Sequence, residues 1–401
     1  MQTMIRPHFL LYRTGLANTN GSSVILSRLL EGMGDSFVHL MWDGSEAGCE
    51  SVGRAVVVDD RLAWWPLGFY HGPGAYLARA VYMRVRRLLG LSWWNGRQLN
   101  LRKFHHNLKR LNCLPGRAWI ICLQESDAAK ICALWDALAN PPFVLHVMDI
   151  FHHRISDSET PNFRRLVREA RHVICISQNI ADEMLANGAR SVGLLPPCTS
   201  FSPCDRKPYA SPLKLLMSGA IWQNGGGADP ALDLLGSSWK EIKSQFPGME
   251  LHYAGLHASR LPEVLRAELR DHGLLGFDAY QRLLKECHVA YLPVSHLSHT
   301  FARFSLPSRL VDYLACGLPL LGFTDRGTAI HAFLRDLPQG CAAIVSDKTG
   351  LLAALANLAC DPGRWALSSA RASEYARQHF TVSRVRAELW RQLDQPGCSG
   401  E

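Results

Sequence analysis

Short apolar runs alternate along this chain with longer stretches in which apolar positions recur every three or four residues. In the first half, the runs at Pro7–Tyr12, Phe37–Trp42, Arg54–Val58, Trp119–Leu123, Phe143–Val147 and His172–Ile176 predict strands. The stretches Ser22–Gly32, Ala128–Ala139, Phe163–Ala170 and Ile180–Asn187 predict helices among them. From Pro196 to Pro212 the chain turns rich in proline and serine, which is the composition of a linker. The alternation then restarts. Leu213–Met217, Glu250–Ala254, His288–Leu292, Leu318–Phe323 and Ala342–Val345 predict strands. Pro230–Phe246, Leu261–Asp271, Tyr280–Glu286, Ser308–Ala315, Gly350–Asn357 and Ser368–His379 predict helices.

Repeated strand–helix units build parallel, doubly wound sheets. The expected fold class is therefore α/β, with two Rossmann-like doubly wound domains facing a cleft. Residues 1–195 form the first domain, 196–212 the linker, and the second begins at 213. In open α/β sheets, ligands bind beyond the carboxyl ends of the strands.

Composition agrees with a large folded core. The 401 residues are 47% hydrophobic and 19% charged, which argues against disorder. The 12 cysteines include no Cys-x-x-Cys pair, and most sit in apolar runs such as Trp119-Ile120-Ile121-Cys122-Leu123. They read as reduced, buried thiols of a cytoplasmic protein. The start of the chain lacks a signal-peptide pattern, and no apolar run approaches the roughly 18 residues of a spanning helix.

Charge changes the picture once it is located. The formal net charge is +8, but Arg61–Arg117 holds eleven basic residues and no acid, so the rest of the chain sums to −3. The same stretch is rich in tryptophan and tyrosine. Within Tyr76–Leu89, Leu77, Val81, Val85 and Leu88 make one helical stripe, with Arg79, Arg84, Arg86 and Arg87 largely off it. Arginines and interfacial indoles suit an anionic membrane surface, and Trp64, Trp65, Arg84, Arg86, Arg87, Trp93 and Trp94 are the expected membrane or acceptor surface. A solvated helix packed on its own core has the same pattern. A nucleic-acid partner is not expected, because no nucleic-acid motif accompanies the charge.

Two segments carry candidate chemistry. Thr14-Gly15-Leu16-Ala17-Asn18-Thr19-Asn20-Gly21-Ser22 is a glycine-bearing loop before the first helix, able to turn backbone N–H groups toward an anionic or hydroxyl-rich ligand. It matches neither a dinucleotide fingerprint nor a Walker loop, and an ordinary turn has the same composition. The second segment runs from Phe304 through Ser305-Leu306-Pro307-Ser308-Arg309 to Leu321. Ser308 is expected to cap a helix that Gly317 stops. Asp312 falls mid-helix among Leu310, Val311, Tyr313 and Leu314, either facing solvent or pointing into the cleft to accept from ribose hydroxyls.

Pro307, Ser308, Arg309, Asp312, Tyr313, Ala315, Gly317 and Pro319 stand in the register Pro-Ser-Lys-x-x-Glu-Tyr-x-Ala-x-Gly-x-Pro. This segment resembles the donor-nucleotide signature of GT-B glycosyltransferases, especially retaining family 4 (glycosyl transferases group 1). Leu215–Gly219, Leu251–Gly255, Leu275-Gly276-Phe277, His288–Pro293 and Val173–Ser177 resemble further family strands and loops. Phe380 to Leu393 resembles the terminal helix that crosses back to the first domain. The resemblance implies an acceptor-binding first domain, a nucleotide-sugar-binding domain over 213–380, and a returning helix over 381–401. It makes Asp312 the ribose-binding acid.

The departures are specific. Phe304 stands where many members carry a first acid, and Ala220–Gly227 lacks the family's arginine and lysine for the diphosphate. Met148-Asp149 replaces a frequent His-Asp pair, leaving His146, His152 or His153 as the nearby imidazoles. A diphosphate still needs compensating charge. Arg303 and Arg309 are expected to supply it, together with backbone N–H groups from Ser305 to Ser308.

The expected donor site is Gly21, Ser218, Gly219, Gln223, Gly276, Phe277, Arg303, Ser305, Leu306, Pro307, Ser308, Arg309 and Asp312. Asp149, His146 and His152 are the catalytic candidates. Asp59-Asp60 lacks the context of a metal-binding pair, so neither metal nor cofactor is expected beyond the donor substrate. The expected activity is transfer of a sugar, with retention, from a nucleotide diphosphate sugar to a glycan or lipid-linked acceptor. The expected location is cytoplasmic, peripheral on the inner face of the membrane. The alternatives are a nucleotide-sugar epimerase or hydrolase on the same fold, and a degenerate transferase that only binds.

Overall fold

A computed structural model describes residues 8–12, 21–31, 37–41, 55–57, 118–122, 128–137, 142–150, 160–204, 206–209, 212–221, 229–292 and 300–394. The strands are β1 His8–Tyr12, β2 Phe37–Met41, β3 Ala55–Val57, β4 Ala118–Cys122, β5 Phe143–Val147, β6 His172–Cys175, β7 Val192–Leu194, β8 Lys214–Ser218, β9 Glu250–Ala254, β10 Leu269–Asp271, β11 Val289–Leu292, β12 Leu320–Phe323 and β13 Ala342–Val345. The helices of the first part are α1 Gly21–Leu30, α2 Ala128–Ala137, α3 Thr160–Glu169 and α4 Gln178–Ala186. Those of the second are α5 Pro230–Gln245, α6 Glu263–Arg266, α7 Phe277–Glu286, α8 Thr300–Phe304, α9 Arg309–Ala315, α10 Ala329–Arg335, α11 Lys348–Cys360, α12 Pro362–His379 and α13 Val382–Leu393. No described helix is long and apolar enough to cross a membrane.

The strands form two sheets, in the orders β3-β2-β1-β4-β5-β6-β7 and β10-β9-β8-β11-β12-β13. Every pairing within them is parallel. Each sheet therefore starts in its middle, winds to one edge, and restarts on the other side of its first strand. The reversal lies between β1 and β4 in the first sheet and between β8 and β11 in the second. A ligand crevice opens beyond the carboxyl ends of the strands at such a switch point.

Strand alternation divides the second sheet between two cores. Leu215, Met217, Val289 and Tyr291 face Trp239, Ile242, Leu351 and Trp365 on one side. Leu216, Ala290 and Leu292 face the opposite way, toward Leu284, Leu310 and Leu314. That second core is continuous with the core of the first domain: Phe201 belongs to it, α8 packs on α4, and α13 packs on α1 and α12. The described cysteines are free thiols and mostly buried. Burial pushes Cys198, Cys287 and Cys316 up to about 12, so they stay protonated and unreactive.

Three differences from the sequence pattern have local causes. Leu261–Asp271 is not one helix: Pro262 starts the single turn α6, and Leu269–Asp271 leaves to pair as edge strand β10 with Leu251–Tyr253. Strand β7 is short and half-exposed, so its apolar signal is weak, but its backbone pairs with Val173–Cys175. Helices α8 and α10 are too brief to show a period.

Residues 195–213 contain neither helix nor strand among those described, but Thr199 makes a parallel bridge with Thr381. Helix α13 then packs on the first domain. Arg386 donates through Nε to Leu29 O at 2.9 Å and through Nη2 to Glu31 O at 2.7 Å, satisfying carbonyls at the end of α1. Buried Gln392 donates to Leu194 O at 2.8 Å and meets His172 Nε2 at 3.2 Å.

Candidate functional site

The site is built from the carboxyl edge of the second sheet. Strand β8 ends at Ser218, and Gly219 follows with φ of 100°, a left-handed backbone that disfavours any side chain. Its N–H donates to Ala254 O at 2.9 Å, and its carbonyl accepts from the Tyr253 hydroxyl at 2.6 Å. Gly255 approaches so closely that a Cβ there would overlap the Gly219 backbone. Beneath this turn the Ser218 hydroxyl meets Tyr280 Oη at 2.8 Å and Tyr313 Oη at 2.6 Å. Burial pushes the phenols of Tyr253, Tyr280 and Tyr313 up, so these hydroxyls remain neutral donors and acceptors.

Arg309, at the start of α9, lies over this turn. A Cβ on Gly219 would overlap Arg309 Nη1. The guanidinium is half-buried, its Nε has no hydrogen-bond partner, and no carboxylate among the described residues pairs with it. Arg303 sits differently. It is exposed, with its guanidinium 4.9 Å from the Phe304 ring centre. The two arginines flank the Ser305–Ser308 loop as expected, but only Arg309 covers Gly219. Arg260, which the sequence pattern does not single out, donates to Ile221 O at 2.9 Å beside the same turn.

The loop itself joins the two sheets. Ser305 is buried, and its hydroxyl donates to the Asp149 carboxylate just beyond the end of β5. Ser177 donates to Phe304 O at 2.6 Å, and Asn179 Nδ2 to the carbonyls of Arg303 and Gly327 at 2.7 and 2.9 Å. Leu306 is buried, and Pro307 accepts from Leu310 N at 3.1 Å. Ser308 is not the extended cap expected of it: its backbone is already helical and its side chain makes no capping bond. Gly317 does close α9, with φ of 67° and its N–H on Leu314 O.

Asp312 is enclosed, at 4% exposure, and does not face solvent. Its Oδ1 accepts from Arg28 Nη1 at 2.9 Å and Thr199 Oγ1 at 2.7 Å, and its Oδ2 from Arg28 Nη2 at 3.1 Å. The carboxylate expected at the ribose thus lies in a bidentate pair with an arginine of the first domain.

Gly276 caps α7 with open space around it, and Phe277 is half-exposed against Phe201, ring centres 4.6 Å apart. Gly21 opens α1. His152, Gln223, Trp64, Trp65, Arg84, Arg86, Arg87, Trp93 and Trp94 lie outside the described residues. No group of three or more His, Cys, Asp or Glu among the described residues is placed to hold a metal ion.

His146 is corrected from catalytic candidate to core residue. It lies within β5 at 1% exposure, stacks on Trp119 with ring centres 5.9 Å apart, and neither ring nitrogen has a partner. Desolvation lowers its pKa to about 3, so it is neutral and cannot exchange protons with a bound ligand.

No family sequence model and no curated protein sequence matches this chain. Solved structures do. Anabaena Alr3699/HepE bound to UDP superposes with a TM-score of 0.65 at 12% identity, over 96% of this chain and 99% of that one. Sucrose-phosphate synthase from Thermosynechococcus elongatus gives 0.64 at 11% identity, over 97% and 99%. A glycosyltransferase from Rickettsia africae gives 0.64 at 9% identity, over 96% and 97%. The chain has the GT-B fold. In GT-B terms, Gly219 and Arg309 belong to the second Rossmann-like domain, Asp149 to the first, and Ser305 spans the cleft between them.

Two predictions follow from this packing. His146 must lose a depressed pKa on unfolding, so protonation as pH falls below about 6.5 favours the unfolded chain. At about 1.4 kcal/mol per unit, this one group removes about 2 kcal/mol near pH 5. Urea unfolding of His146→Leu is expected to lose about 2 kcal/mol less than the parent between neutral pH and about pH 5; an equal loss refutes the assignment. Gly219→Ala meets both an unfavourable φ and the Arg309 guanidinium, and is expected to cost about 2 kcal/mol in the same assay at unchanged slope.

Proposed function

We propose that this protein is a glycosyltransferase that moves a sugar from a nucleotide diphosphate sugar to a saccharide or lipid-linked saccharide acceptor. The carrying observation is the Arg309 guanidinium. It is a cation without a carboxylate partner among the described residues, laid over a glycine turn at the switch point of the second sheet. Such a group suits a diphosphate, whose negative charge grows as the bond to the sugar breaks. The structural neighbour HepE has been crystallised with UDP, with UDP and glucose, and with UDP-glucose, which favours a nucleotide-sugar donor on this shared fold.

In this reading the donor diphosphate lies against Gly219, Arg309 and the N–H groups of the Ser305–Ser308 loop, without a metal. Arg309 takes the place of the arginine and lysine absent from Ala220–Gly227. The sugar extends toward Asp149, the carboxylate that Ser305 holds from across the cleft. Asp149 orients the reacting sugar or its acceptor. Retention of anomeric configuration follows the family resemblance of the Pro307–Pro319 segment.

A thermal-shift screen of UDP-, GDP- and dTDP-sugars tests the donor site and identifies the base. One class is expected to raise the melting temperature of the parent, and Arg309→Met to weaken that ligand by about tenfold, as for loss of a charge-assisted contact. No shift with any class refutes the transferase and leaves a degenerate fold. Hydrolysis or epimerisation of donor alone, with no acceptor product, favours the alternative enzyme.

The basic, aromatic stretch Arg61–Arg117 is proposed to place the first domain on the cytoplasmic face of an anionic membrane. Binding to anionic vesicles is expected to exceed binding to neutral ones at low salt and to fall as salt rises; equal binding refutes it.

A further inference from the structure

Three separate parts of the chain converge on Arg28. It projects from α1 of the first domain, and the residue is 9% exposed. Nη1 donates to Cys198 O at 2.8 Å and, with Nη2, grips the Asp312 carboxylate of α9. The guanidinium also lies 5.6 Å from the centre of the Phe201 ring. From the terminal helix, Arg386 Nη2 donates to the Arg28 carbonyl at 3.1 Å. The ion pair thus joins the first domain, the crossover segment and the helix that follows the Ser305–Ser308 loop.

Removing either charge leaves the other buried without a counterion, so the two side chains must act as one unit. The pair also occupies the carboxylate on both oxygens. Oδ1 accepts two bonds, from Arg28 and Thr199, and Oδ2 one, so the carboxylate keeps acceptor capacity on Oδ2.

We propose that Arg28 and Asp312 form a latch between the two domains that sets the position of Asp149 opposite the donor loop. Arg28 and Asp312 are positioning residues. The latch fixes α9, and the loop leading into α9 carries Ser305 to Asp149. The kinetic part of the inference rests on the transferase reading; the structural part does not.

The test compares Arg28→Met, Asp312→Asn, their double variant, and Arg28→Lys, which keeps the charge but loses the two-pronged grip. Small-angle X-ray scattering of ligand-free protein reads domain opening. The radius of gyration is expected to rise in each single variant and no further in the double; an unchanged radius in both singles overturns the latch. Affinity for the nucleoside diphosphate of the class identified by the donor screen (UDP, GDP or dTDP) is expected to stay within about twofold, while kcat falls by about tenfold or more in all of them. A loss of affinity of about tenfold in Asp312→Asn, with Arg28→Met unaffected, shows the two acting separately and overturns the proposal. Should Arg28→Met or Asp312→Asn fail to fold, Arg28→Lys and Thr199→Val carry the same two readouts. Absence of any nucleotide binding by the parent refutes the transferase and leaves the scattering result to decide the latch.

Discussion

Strand direction constrains everything else in this molecule. Every described strand pairs parallel to its neighbours, so each sheet needs crossover connections and apolar cover on both faces. Buried strands leave few places for polar groups to meet a ligand, and the carboxyl edge is the place that remains. Gly219, Arg309, Ser305 and Asp149 all gather at such edges, two sheets contributing to one cleft. The turn at Gly219 works because two glycines approach where no Cβ could fit, and the Tyr253 hydroxyl holds the resulting carbonyl.

Charge is distributed to match. The long acid-free stretch Arg61–Arg117 leaves the remaining chain slightly acidic, so each cation near the Gly219 turn is placed individually. Arg309 is held over the turn, whereas Arg303 remains on the surface. Arg28, although equally basic, is committed to Asp312. Three arginines of the same residue type therefore do three jobs, and burial together with the nearest carboxylate decides which.

Much of the fold was legible from spacing. The period of apolar residues marked most strands and long helices, and a proline-rich stretch marked the passage between sheets. It failed at Leu261–Asp271, where a proline and an edge-strand pairing override a helical pattern, and at the short helices α8 and α10. The site was less legible. The Pro307–Pro319 segment pointed to the loop that meets Asp149 through Ser305, but His146 looked available in sequence and is sealed against Trp119 in a strand. The contacts that Tyr253, Tyr280 and Arg260 make at this turn had no local signal, because the partners concerned lie 34, 62 and 39 residues away.

Local periodicity and turn chemistry by themselves determined an α/β chain in two parallel halves, and with them the edge where a ligand would lie. They placed Asp312 on an apolar helix and left open whether it faced solvent or ligand. Only the tertiary structure decided that it faces Arg28, 284 residues earlier in the chain. The physical reason is that hydrogen bonds within an element repeat with its period and so imprint the sequence, whereas a buried charge takes whichever counterion the packing of distant elements delivers.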